Sequence, residues 1–476
     1  MSGSFKKRFY KWHRICGLIA LVPVMCWTLS GLSHPFMSNW FRPFIAHETF
    51  KPLTLDKLAP KLTLQQVLQQ NKVDSLRNFG LVKLNGQTCY QILGADSAYT
   101  YYSASTGFIL ADADKQYAIQ LARYFTQDSV SAIKSAVLQT KFDDWYQPIN
   151  HLLPVWKISL NRPDGMDVYV ETGQSRMGTF NNNTRKTFLW VFEQLHTWDW
   201  LAKLFGDRVR LIVLMVIVVA MFAAMLSGLI VYGLFWSRFK DLSQKRKRDS
   251  REDRRFVHRF HRQLGLIVSF VMFTFLLSAG IHIGVKLYNN KPVPADFKQI
   301  IRTSDLSVDN LHLQMPDSLI RKTSLVKFNG RTYYQVNTAK KQVIYLDAAN
   351  GAELKNGNRQ FAAYLAGYYS GAKHPADSIV HIRQFTEEYG FINKRLPVEQ
   401  VRYPGKDDWY IETTTQKLAT HVAGPDRFDG FSFIFLHKYF GMAWAGKDVR
   451  DIVSMLAALG VLVVSLFGFA AFTKNR

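Results

Sequence analysis

The chain has 476 residues, 48 % of them hydrophobic, and 60 lysines and arginines against 36 acids give a formal net charge of +24. That mixture excludes a wholly soluble enzyme and a chain buried in lipid throughout, and it predicts segments of both kinds. The charge does not point to nucleic acid, because the densest basic run, SRFKDLSQKRKRDSREDRRFVHRFHR, separates two apolar runs and has no aromatic-rich basic patch beside it.

The first predicted element is the uncharged run Ile15 to Met37, preceded by Lys6, Lys7, Arg8, Lys11 and Arg14 with no acid. No small-x-small cleavage site follows it, so it reads as an anchor rather than a signal peptide. A long polar segment comes next. In it LTLQQVLQQ has helical spacing, and FGLVKLNGQTCYQILG and AYTYYSASTGFIL read as strands with Asn-Gly and Thr-Gly turns. The runs Leu211 to Trp236 and Leu264 to Val285 flank the basic linker. A second polar segment carries SLVKFNGRTYYQVN and QVIYLDAANGAEL, and Ile452 to Phe472 closes the chain before Lys474 and Arg476. Each apolar run is near the roughly 20 residues that span a bilayer core. The predicted order is 1–37 N-terminus and first span, 38–208 outer domain, 209–236 span, 237–262 linker, 263–286 span, 287–449 outer domain, and 450–476 last span and tail. The basic flanks all fall on one side, which the positive-inside rule makes cytoplasmic, so both termini are expected there and both polar segments outside. Cys16, Cys26 and Cys89 show no disulfide spacing, and there is no C-x-x-C or C-x-x-C-H.

The halves match. LVKLNGQTCYQI at Leu81 answers LVKFNGRTYYQV at Leu325, 244 residues on; INHLLPV at Ile149 answers INKRLPV at Ile392, DVYVET at Asp167 resembles DWYIET at Asp408, and LHTW at Leu195 answers LHKY at Leu436. The chain therefore reads as a tandem duplication of helix, α/β outer module, helix.

Three histidine pairs stay in register through this repeat. His13 and His34 stand 21 residues apart, as do His261 and His282, and His196 matches His437. Twenty-one residues of helix span about 31 Å, so the two histidines of one span cannot share a metal, although both can face one bundle interior. A pseudo-twofold axis is expected to bring His13 near His261 and His34 near His282. The competing reading makes them polar residues at the membrane boundary. Ionisable groups within spans usually mark a ligand site or pathway, and three registered pairs favour that reading. Imidazole is a common haem-iron ligand, and bundles build cofactor sites from facing helices. Zinc is less well matched, lacking neighbouring cysteines or carboxylates. Arg14 and Arg262 follow the inner histidines and could pair with haem propionates or anchor at lipid headgroups. Gly31 and Gly280, beside Ser30 and Ser278, fit close helix packing. His258, His47, His151, His312, His374, His381 and His421 have no match and read as surface residues.

H-R-x-x-G-L opening a span at His13 and again at His261, an α/β module, and L-H before G-x-R in LHTWDWLAKLFGDR resemble the PepSY-associated transmembrane family. In the second half LHKYFGMAWAGKDVR displaces the G-x-R element. The resemblance covers both halves and implies four transmembrane helices with two periplasmic α+β PepSY-like domains. It further implies a bacterial inner-membrane protein carrying haem b, two groups being expected, with ligand roles for His13, His34, His196, His261, His282 and His437. The implied activity is oxidoreductase chemistry, reducing ferric iron or a ferric siderophore in the periplasm with electrons from a cytoplasmic or quinol donor. No glycine-rich nucleotide motif follows a strand, so the donor is a separate partner. Two rivals remain at this point: a non-enzymatic module that binds or inhibits a periplasmic partner, and an iron or solute transporter. The second is disfavoured because none of the four runs contains an acid.

Overall fold

A computed structural model describes residues 3–48, 58, 60–237, 239–241, 256–288, 294–307, 320–340, 342–405 and 407–473. The core of the basic linker, His312, and the tail residues Lys474 and Arg476 lie outside the described residues. The chain divides into two compact units. One comprises Met1–Arg42, Thr184–Pro292 and Pro425–Arg476; the other comprises Pro43–Asn183 and Val293–Gly424. The polar segments expected to run to 208 and 449 are therefore each split. Their last portions, from Thr184 and from Pro425, fold with the helices.

The helical unit holds Gly3–Pro35, Asp207–Leu234, Phe256–Tyr288 and Lys447–Thr473. All four are long and apolar enough to cross a membrane. Neighbours run first to second, second to third, third to fourth and fourth to first, a closed ring in which the first and third helices face one another diagonally. Val24, Leu214, Val218, Met221, Val268 and Val464 are among the side chains that fill its interior. Small residues set the approach. A Cβ on Gly31 would lie 3.9 Å from Ala458, and one on Gly280 3.7 Å from Val218, both ordinary contact distances.

The second unit is mixed α/β, with antiparallel sheets throughout. Strands β1 (Ser75–Leu76) and β10 (Ile301–Arg302) pair across the two halves. In the first half β2 (Asn78–Leu84), β3 (Gln87–Leu93), β4 (Tyr99–Ser103) and β5 (Ile109–Leu110) form one meander. A second meander joins β6 (Ile133–Gln139), β7 (Val155–Leu160), β8 (Asp167–Glu171) and β9 (Arg176–Asn181). The second half repeats this with β11 (Ile320–Phe328), β12 (Arg331–Thr338) and β13 (Val343–Asp347), then β14 (Ser378–Ile382), β15 (Val398–Tyr403), β16 (Asp407–Glu412) and β17 (Lys417–Val422).

Local chemistry explains these elements. Thr63 caps the helix Leu64–Gln70 through a reciprocal bond with Gln66. Asn85-Gly86 and Asn329-Gly330 all have positive φ, which is the two-residue turn a tight hairpin requires. The helix Ala113–Thr126 buries Tyr117, Ala118, Leu121, Ala122 and Phe125. Gly357–Ser370 buries Phe361, Ala362, Leu365, Ala366 and Tyr369 at matching positions. Each thus presents one apolar stripe to its sheets.

The halves of this unit interlock. Asn78 Oδ1 accepts from the Leu325 amide at 2.8 Å, and Gln299 Nε2 donates to the carbonyls of Arg77 (2.7 Å) and Leu325 (2.9 Å). At the centre Arg176, fully buried, donates to Glu171 of its own half and to Glu412 of the other at 2.6 Å; Arg395 donates to the second Glu412 oxygen at 2.6 Å. Glu171 and Glu412 end the two D-x-Y-x-E strands that the sequence pairs. Burial pushes the Glu412 carboxyl up, and the guanidiniums of Arg176 and Arg395 more than reverse this, leaving it at about 2.

Removing one partner of such a network strands the others without solvent. Glu412→Ala is expected to destabilise this unit by about 3–5 kcal/mol in denaturant unfolding followed by tryptophan fluorescence. In the wild type the carboxylate's contribution is present above the ordinary glutamate pKa and is lost as the pH falls toward 2.

Candidate functional site

Two histidine clusters lie inside the helical unit, one at each end. At the end where the chain begins, His13 on the first helix and His261 on the third have ring centroids 6.1 Å apart across the diagonal of the bundle. His13 Nδ1 lies 2.9 Å from the Ala224 carbonyl on the second helix, and His261 Nδ1 lies 2.9 Å from the Val464 carbonyl on the fourth. A carbonyl can only accept, so Nδ1 carries the proton in both rings and each Nε2 keeps its lone pair. Backbone approach is secured by glycine: a Cβ on Gly228 would sit 2.9 Å from His13 Cε1, and one on Gly468 the same distance from His261 Cε1. A cavity of about 760 Å³ surrounds the pair, with Gly17, Gly228, Gly265 and Gly468 in its wall.

Arg14 and Arg262 also line this cavity. The Arg14 guanidinium lies 4.7 Å from the Phe472 ring and that of Arg262 lies 4.1 Å from Phe239, so both are held by aromatic faces at the cavity edge. His258, which has no match in the first half, lines the same space.

At the opposite end the rings that meet are His196 and His437, with centroids 6.3 Å apart and planes at 90°. The expected meeting of His34 with His282 is not seen: among the described residues no ring contact joins them. The reason is local. His196 and His437 each sit in a single π-helical turn, Glu193–Thr197 and Phe433–His437, which swings the side chain into the bundle. Each ring stacks on the phenylalanine four residues earlier, at 4.5 Å on Phe192 and 5.1 Å on Phe433. Ser30 gives its hydroxyl proton to the Trp27 carbonyl (3.0 Å) and its oxygen lies 3.0 Å from His196 Nδ1, while the His196 ring also hydrogen-bonds the Trp27 backbone. Ser278 Oγ, at the matching position, is buried with no hydrogen-bond partner among the described residues.

His34 and His282 flank this pair. His282 Nδ1 donates to Asp429 at 2.8 Å. His34 meets Ser38 Oγ at 3.4 Å through Nδ1 and Lys438 Nζ at 3.3 Å through Nε2. Several unmatched histidines belong to the sheet unit. There His47 stacks on Tyr124, His381 bonds Glu399, and His421 stacks on Trp409. In the same unit Trp156 Nε1 donates to Asp114 at 2.6 Å. Among the described residues no group of three or more His, Cys, Asp or Glu is placed to hold a bare metal ion.

The sequence pairing pointed to all six histidines. It missed Gly228 and Gly468, Phe192 and Phe433, and Lys438 and Asp429. The glycines and the phenylalanines recur at offsets of 240 and 241 residues and were open to the same search. Lys438 and Asp429 replace Thr197 and Phe188, so no repeat marks them.

Four apolar helices in a ring with histidine pairs between them define a multi-pass membrane protein with a polar site inside its bundle. The model of the PepSY-associated TM region matches residues 111–474, most of the chain, and the protein belongs to that family. A comparison with curated proteins finds no match.

The two classes of glycine separate by substitution. Gly228→Ala drives a methyl group into the His13 ring and is expected to cost about 1–3 kcal/mol. Gly31→Ala, which meets nothing closer than 3.9 Å, is expected to stay within about 0.5 kcal/mol. Thermal unfolding of the detergent-solubilised protein reads the difference.

Proposed function

We propose that this protein is a haem-carrying reductase of the bacterial inner membrane. In this reading electrons cross the bundle and reduce ferric iron, free or as a ferric siderophore, on the periplasmic side. The observation that carries the reading is the His13–His261 pair. Two imidazole nitrogens bound to one metal at about 2.0–2.1 Å each put their ring centres roughly 6 Å apart. The centroids here stand at 6.1 Å, both Nε2 atoms are open, and a cavity of about 760 Å³ surrounds them. That volume falls within the range of cofactor pockets, about 300–1,000 Å³. In this reading one haem b would be held by His13 and His261 and a second by His196 and His437, whose ring centroids stand 6.3 Å apart.

A haem held between these imidazoles would supply one-electron ferric/ferrous chemistry. The chain's own residues do the rest. The carbonyls of Ala224 and Val464 fix the tautomer and orientation of the His13 and His261 rings, and so make Nε2 the ligand atom. Arg14 and Arg262 supply two cations at the cavity edge, suited to two propionates. Ser30 holds His196 one turn deeper than His34, 17 residues along the helix from His13. The sites are then about 25 Å apart along the axis, against the roughly 31 Å implied by His34. Overall a quinol donor would give up two electrons and two protons and reduce two Fe(III) to two Fe(II) outside, whereas a one-electron cytoplasmic donor would reduce one. The matched halves fit a tandem duplication, each copy supplying one ligand to each site.

Protein purified from haem-supplied cells is expected to contain two haems per chain by pyridine haemochrome assay. His13→Ala and His261→Ala are each expected to lose one equivalent and to reduce an Fe(III) chelate at less than a tenth of the wild-type rate in vesicles containing quinol. Full haem content in both variants would exclude the assigned ligands. A colourless wild-type protein would instead favour the non-enzymatic reading, in which the helices only anchor the sheet unit.

A further inference from the structure

The repeat is obeyed closely at the His13–His261 end and broken at the other. At the first end each half contributes a histidine, a carbonyl acceptor and a glycine in the same relation. At the opposite end the residue after the L-H histidine is Thr197 in the first half and Lys438 in the second, and the position of Phe188 is taken by Asp429. These two replacements act on the two flanking histidines in opposite ways.

Lys438 Nζ stands 3.3 Å from His34 Nε2. An ammonium has only protons to give, so the ring nitrogen is the acceptor and its lone pair is spent on the lysine. The proton of His34 then sits on Nδ1, facing Ser38 Oγ at 3.4 Å. Both nitrogens of His34 are thereby engaged within the protein. His196 differs: its ring bonds Ser30 and the Trp27 backbone, no lysine hydrogen-bonds it among the described residues, and it is the ring that meets His437. His282 lacks the counterpart of Lys438 and is turned instead by Asp429 through Nδ1.

We infer that Lys438 is a positioning residue that withdraws His34 from iron ligation, so that the second haem of the proposed reductase takes its first-half ligand from His196 alone. The inference rests on the haem reading given above. It makes the two ends of the bundle unlike in ligand supply, and it would set the Lys438 ammonium, next in sequence to His437, close to the second haem. A cation near the iron favours the ferrous form, so Lys438 also raises the potential of the site from which electrons leave.

The test uses the full-length protein in detergent with haem content, low-temperature EPR of the oxidised form, and a redox titration. His34→Ala and His34→Asn are expected to retain two haems per chain with two low-spin signals; asparagine keeps an acceptor for Lys438 but is a poor iron ligand. His196→Ala is expected to lose one haem and one signal. Lys438→Thr, which restores the residue of the first half, is expected to keep both haems while lowering the potential of one and leaving the other in place. Loss of a haem equivalent in His34→Asn, or unchanged potentials in Lys438→Thr, would overturn the inference. A wild-type protein without haem would overturn the underlying reading instead, so the two failures are distinct.

Discussion

The site depends on a hydrogen bond from imidazole to backbone. In a bilayer a neutral histidine must place its N–H somewhere, and the costs of leaving it unpaired are high. His13 and His261 each solve this by donating Nδ1–H to a carbonyl on the next helix, Ala224 and Val464. That single choice fixes the tautomer, the ring orientation and the identity of the open nitrogen. Everything near it follows: Gly228 and Gly468 must lack side chains for the rings to lie down on those helices, and the diagonal partners are brought to 6.1 Å. The opposite end uses another device. There π-helical turns and stacked phenylalanines carry His196 and His437 inward, and a serine hydroxyl replaces the backbone acceptor for His196.

The sheet unit is governed by a different constraint, a charge network that neither half could satisfy alone. Arg176 is fully buried and its carboxylate partners come from both halves, Glu171 and Glu412. Buried ion pairs contribute less to net stability than their Coulomb attraction suggests, because desolvation offsets it. Their effect here is on register: the two modules fit together only where Arg176 reaches Glu412 and Arg395 reaches the second oxygen. Apolar contacts between Phe79, Leu325, Tyr334 and Val336 supply the driving force across the same halves.

The sequence carried the elements set by local chemistry. Hydrophobic runs located all four spanning helices, and Asn-Gly at 85–86 and 329–330 located both hairpins. The histidine pairs were legible because a repeat makes each residue a witness for the other. What stayed hidden was three-dimensional partnering. The second meander in each half, β6 to β9 and β14 to β17, carried turn signals of its own, Pro163-Asp164-Gly165 and Pro404-Gly405, that the strand reading did not take up. The meeting of His196 with His437, rather than His34 with His282, depends on a π turn that no spacing rule announces. Lys438 and Asp429 could not be found by repetition because they are the positions where repetition fails. Glu171 and Glu412 were visible as strand ends in DVYVET and DWYIET, yet their shared arginine was not.

The central claim is that the paired imidazoles, His13 with His261 and His196 with His437, would each hold a haem iron. It is tested most directly by the dithionite-reduced minus oxidised difference spectrum of the purified protein, recorded before and after carbon monoxide. The account requires a Soret band and a reduced b-type α-band, with no spectral shift on adding carbon monoxide, since two histidines per iron would leave no position for it. Absence of the bands in haem-supplied protein, or a carbon monoxide shift of the full Soret intensity, would contradict it.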